Sequence, residues 1–117
     1  MLNYVILVYR DERRWETLSA GERRDFEQAC RACEQELIRR LHLVDVRHLR
    51  QDGALTLRVV DGRLSLADVP AAGSQAQLVQ LLFIRARDLN TAVQIASKMP
   101  QAQAGSVEVR PLADGEY

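Results

Sequence analysis

The chain has 117 residues, 47% of them hydrophobic and 27% charged, the composition of one ordinary globular domain with a single core. Sixteen basic residues balance sixteen acidic ones, so there is no electrostatic footprint for nucleic acid or for an anionic membrane, and neither is expected as a partner. The longest apolar runs fall far short of the roughly 18 residues a membrane span needs, no basic leader precedes the first of them, and a cytoplasmic setting with reduced thiols is expected.

Asn3 to Arg10, NYVILVYR, is rich in β-branched and aromatic residues and apolar on both faces, which suits a central strand. The charged stretch Arg10 to Arg14 then reads as a solvated turn, with Trp15 as a packing anchor beneath it. Ser19 and Glu22 have the spacing of a capping box, opening a helix expected to run to about Leu41. Phe26, Cys30, Cys33, Leu37 and Leu41 recur at intervals of three and four and form its apolar stripe, with Glu27–Arg31 and Glu36–Arg40 as surface ion pairs.

Leu43 to Leu49 and Ala54 to Val60 read as strands. In the second, Leu55, Leu57 and Val59 alternate with Thr56 and Arg58, the period of a half-buried strand. Asp61-Gly62 predicts a type I′ hairpin turn, with Arg63 to Ala67 returning and Leu64 and Leu66 inward. Leu78 to Ala86 is a second central strand. Asp88 caps a helix whose stripe is Leu89, Ala92, Val93, Ala96 and Met99 and which Pro100 stops, and Gly105 to Pro111 is a last strand.

This order, β-α-β-β-β-β-α-β, predicts an α+β fold: one domain over residues 1–117 on a ferredoxin-like split βαβ plan with an extra β-hairpin, its helices on one face of an antiparallel sheet. The central strands are apolar on both faces, so the uncovered face would be a larger apolar patch than soluble monomers tolerate. A homodimer with facing sheets follows, a dimeric α/β-barrel-like assembly whose inter-sheet cleft is the natural ligand site.

Tyr4 to Trp15, YVILVYRDERRW, with Leu18-Ser19 beyond it, resembles the opening of YCII-related proteins of the DGPF type. Lys98 to Leu112, KMPQAQAGSVEVRPL, is similar to that family's closing pattern of a Pro-terminated helix, a Gly and an E-V-R-P strand. The resemblance covers nearly the whole chain. It implies a dimeric ferredoxin-like α+β domain with a cleft near the loop that names the family. In that place stands Ala67 to Leu78, where Asp68 and Pro70 match the family's Asp and Pro while Val69, Ala71, Gly73, Gln75 and Ala76 replace its Gly, Phe, Glu, Lys and Glu. Val69 cannot readily take the positive φ that a Gly supplies, and most of the groups that could orient a ligand or move a proton are lost.

Asp68 is the best candidate for a general acid or base; its bland reading is an Asx turn before Pro70. His48 could pair with it for proton transfer or simply lie on the surface, and Tyr9 and Arg10, at the end of a central strand, are further cleft candidates. His42 follows the long helix, where an imidazolium offsets the dipole. Cys30-Arg-Ala-Cys33 has CxxC spacing, but it lies mid-helix on the apolar stripe and lacks a second Cys pair, so it reads as two core thiols. No metal and no cofactor are expected.

The reading is a small homodimer that binds a small molecule or partner in its inter-sheet cleft, with weakened or absent catalysis. One alternative is a metal-free lyase or isomerase using Asp68 as acid/base. The resemblance also implies a regulatory partner associated with an extracytoplasmic-function sigma factor in transcription initiation. A haem- or quinone-type monooxygenase, which other dimeric ferredoxin-like barrels resemble, is the weakest match.

Overall fold

The computed structural model describes residues 1–68 and 76–113, the side chain of Asp68 excepted. The elements are β1 (Leu2–Asp11), α1 (Glu12–Thr17), α2 (Ala20–Arg39), β2 (Leu43–His48), β3 (Leu55–Val60), β4 (Arg63–Asp68), β5 (Ala76–Ala86), α3 (Leu89–Ser97), α4 (Pro100–Ala104) and β6 (Ser106–Pro111). The main sheet has the order β2-β5-β1-β6 with every neighbouring pair antiparallel. This is the ferredoxin-like α+β arrangement expected from the sequence, and β3 and β4 form a separate two-stranded sheet rather than further strands of it.

Strand alternation divides the main sheet into two chemistries. Tyr4, Ile6 and Val8 of β1 and Leu82, Ile84 and Ala86 of β5 are buried on the helical side, where Ala92, Ala96 and Met99 complete the core. Small residues at Ala92 and Ala96 let α3 sit close on the strands. Leu89 and Val93, expected in its stripe, are instead about half exposed, at 49% and 46%, and Ile95 packs on the core in their place. Pro100 does not merely stop α3. Its fixed φ and missing N–H suit the first helical position, and it opens α4 with Met99 as N-cap.

The acidic turn after β1 is also helical. The Asp11 carboxylate accepts from the backbone N–H groups of Arg13 and Arg14 at 3.1 and 3.4 Å, an N-cap that starts α1 where the sequence reading had a solvated turn. The expected capping box is present at α2, with Glu22 N–H donating to Ser19 Oγ at 3.1 Å and Ser19 N–H to Glu22 Oε1 at 3.0 Å. The Ser19 bonds also hold the Glu22 carboxyl below its ordinary pKa.

At its other end α2 stops at Arg39, before the expected Leu41. His42 N–H reaches the Leu37 carbonyl at 2.8 Å and Leu41 N–H the Ile38 carbonyl at 3.0 Å, the two bonds of a Schellman motif. Leu41 occupies the left-handed position at φ 64 and is 78% exposed, so it leaves the stripe. A side chain there disfavours the conformation by roughly 1–2 kcal/mol, partly offset by the greater entropy loss of a glycine. Leu41→Gly should therefore raise stability by about 0.5–1 kcal/mol, read as a higher urea midpoint at unchanged slope. Of the two expected ion pairs, Glu36 bonds both Arg39 and Arg40, whereas no pair joins Glu27 to Arg31 among the described residues. Among those residues, too, no helix is long and apolar enough to cross a membrane.

Candidate functional site

Only the C-terminal half of α2 packs on the sheet. Leu37 is buried and the half-buried Cys33 packs against the core, whereas Cys30 and Phe26, one and two turns before Cys33, are half-buried without joining it. Between this raised half of α2 and the strands lies a cavity of about 840 Å³, within the size range of small-molecule sites. Val8, Val79 and Gln80 form its floor, α2 one wall, and α1 and α4 its end.

Trp15 is the hinge of that end wall. The Arg10 guanidinium lies over its ring at 4.0 Å and that of Arg23 at 5.1 Å, two cation–π contacts. Phe26 meets it edge-on at 5.8 Å between centroids. Arg23 also donates from Nε and Nη2 to the Trp15 carbonyl at 3.2 and 2.9 Å, fastening α1 to α2.

A polar chain crosses the floor. Gln80 Nε2 donates to Glu34 Oε1 at 3.0 Å, and Gln101 Nε2 donates to Gln80 Oε1 at 3.1 Å. Both glutamines are 5% exposed, and Gln101 Oε1 is a buried acceptor without a partner. An ionised carboxylate only accepts, so Glu34 sets the direction of both amides and leaves an oxygen at the far end. An unpaired acceptor in a cavity wall marks a place where a small rearrangement would welcome a ligand's donor.

A profile of the YCII-related domain matches residues 2–115. The chain belongs to the YCII-related family. No curated protein matches it in sequence. In this YCII-related chain, Tyr9, Arg10 and His48 border the helix-side cavity, which is a different place from the inter-sheet cleft expected of them. The backbone of Asp68 pairs with Leu55 at the base of the β3–β4 hairpin. Its side chain, its expected pairing with His48 and the loop 69–75 lie outside the described residues.

The cysteines are free and half-buried rather than fully in the core. Cys30 borders the cavity, and desolvation, reinforced by the Glu34 charge, pushes its thiol up to about 11; Cys33 is raised for the same reasons. A thiol so raised is a poor nucleophile. At pH 8 Cys30 should alkylate roughly two orders of magnitude more slowly than an ordinary cysteine, because the thiolate reacts and little is present; mass spectrometry of iodoacetamide-treated native protein checks this. Among the described residues no cluster of His, Cys, Asp and Glu could hold a metal. His42 sits away from the cavity, its Nδ1 2.9 Å from the Arg85 carbonyl, which joins the end of α2 to β5.

On the opposite face of the sheet, register places two rows across four strands. One reads Arg47, Leu81, Leu7, Glu108 and the other Asp45, Phe83, Val5, Arg110. The apolar middles are half-buried. At the edges Arg47 bonds Asp45 at 3.0 Å and Arg110 bonds Glu108, so a charge sits at each corner, alternating in sign around the patch.

Proposed function

We propose that this YCII-related protein is a homodimeric small-molecule-binding protein, each subunit holding its ligand in the helix-side cavity with catalysis weak or absent. The observation that carries the reading is the cavity with its built polar floor, the Glu34–Gln80–Gln101 chain ending in an unpartnered oxygen. Binding is favoured over covalent chemistry because the nucleophile at hand, Cys30, is held protonated and Glu34 is engaged in the chain.

The dimer is supported by the corner charges. Two sheets packed face to face are related by a two-fold axis lying between them. An axis along the strands sets Arg47 over the partner subunit's Glu108 and Asp45 over the partner subunit's Arg110. An axis across the strands sets Arg47 over Asp45 and Glu108 over Arg110. The pattern matches itself under either operation, with the apolar stripe buried between, as an isologous interface requires.

Trp15 is the single tryptophan and borders the cavity, so its emission reports occupancy. Titration with benzyl alcohol, benzylamine and benzoate should give a saturable change for at least one, abolished by Cys30→Phe, which fills the wall. A flat response to all three at millimolar concentration would remove the reading.

A further inference from the structure

The β3–β4 hairpin is an arm whose chemistry does not suit water. Leu55, Leu57 and Val59 of β3 share a face with Leu64 and Leu66 of β4, with Leu57 opposite Leu66 and Val59 opposite Leu64. These five are 55%, 60%, 69%, 59% and 56% exposed. The other face carries Thr56, Arg58, Val60, Arg63, Ser65 and Ala67, so the alternation holds as far as Val59, but Leu64 and Leu66, expected inward, are exposed and nothing described in the chain covers this apolar side. Among the described residues β3 and β4 pair only with each other, so no strand of the main sheet shields the arm. Two strands alone are at best marginally stable in water, and a covered apolar face is what stabilises them.

We infer that a second copy of this chain covers the arm, which extends the sheet-to-sheet interface past its rim. The inference rests on the homodimer reading and deepens it. Strands β2 and β5, neighbours in the main sheet, lead into and out of the hairpin at the His48 and Ala76 ends. The arm of roughly 20 Å thus starts at the border of the face on which the facing copy sits. With five apolar side chains releasing on the order of 80 Å² each, the two arms add about 800 Å² of apolar surface. Together with the half-buried sheet patch, the arms bring the total toward the roughly 1,600 Å² of a stable interface. The chain is electrically neutral, with sixteen charges of each sign, so no self-repulsion opposes association.

The test is the double variant Leu57→Glu/Leu66→Glu, a cross-strand pair at the centre of the arm, with sedimentation equilibrium of the full chain beside the wild type and far-UV circular dichroism to show that the fold persists. A wild-type dimer whose dissociation constant rises about tenfold or more in the variant is the expected result. A wild-type dimer that the variant leaves equally tight overturns the inference and leaves the dimer standing, with another occupant then covering the arm. A wild-type monomer overturns both. Should the variant fail to fold, amide exchange of residues 55–67 in the wild type decides instead. Protection that rises with protein concentration through the dimerisation range supports the arm as interface, and protection independent of concentration refutes it.

Discussion

Gly105→Ala should lower stability by about 3 kcal/mol, at the upper end of what overpacking costs. A Cβ at Gly105 would stand 2.3 Å from the Tyr9 carbonyl oxygen and 3.3 Å from its carbon. The obstacle is backbone, so no side chain can swing aside. The chain leaves α4 with Gly105 N–H bonded to the Gln101 carbonyl at 3.1 Å and enters β6 directly against β1, Ser106 opposite Tyr9. Relief requires moving the start of β6 away from β1 or tilting α4. Either shift also displaces Gln101 and the cavity border at Tyr9, so the Trp15 response to fragments should weaken alongside the urea midpoint. Gly21→Ala is the matched control. Its Cβ would meet only Ser19 Oγ at 3.8 Å and Arg24 Nη2 at 3.9 Å, and alanine inside a helix should stabilise by up to about 1 kcal/mol. A loss below about 1 kcal/mol for Gly105→Ala would mean that β6 is free to slide.

What could be read from the residues was whatever a local pattern determines. Asp61-Gly62 specifies a turn that needs positive φ at both positions, and the angles are 52 and 76. Ser19 with Glu22 specifies a helix start, and unbroken apolar runs specify both central strands. Two short helices were missed although their signals were present: Asp11 before Glu12 is an N-cap with an acidic first turn, and Pro100 is a first-position proline. Each was outweighed by a bland local reading of a charged turn and a helix stop.

The site was less legible because its parts are distant in sequence and bland in type. Glu34, Gln80 and Gln101 meet only once α2, β5 and α4 are assembled. The one available hint was Gln80, a polar residue inside the run LVQLLFIRA at a position whose neighbours on the same face, Leu82 and Ile84, are fully buried. A buried amide in a strand must find partners. The periodic stripe of α2 also concealed the cavity, since a stripe shows which face turns inward but not how far the helix stands from the sheet.

Gln80→Leu should cost about 3 kcal/mol, and the reason lies in the order of the polar chain rather than in volume. Removing the middle amide strips Glu34 of a charge-assisted donor, worth roughly 1.5–3 kcal/mol, and leaves Gln101 Nε2 unpaired, at roughly 1–3 kcal/mol. Added leucine burial offsets part of this. Gln101→Leu differs. It deletes an oxygen that already lacks a partner and orphans Gln80 Oε1 in exchange, so its effect should stay within about 1 kcal/mol. The double variant removes both amides and leaves only Glu34 without its donor, so it should be more stable than Gln80→Leu alone, a coupling that contacting residues show and independent ones do not. Urea unfolding of the three variants measures all of this. Were Gln80→Leu no worse than Gln101→Leu, Glu34 would not be directing the chain, and the unpartnered oxygen at its far end would lose its standing as the ligand's acceptor.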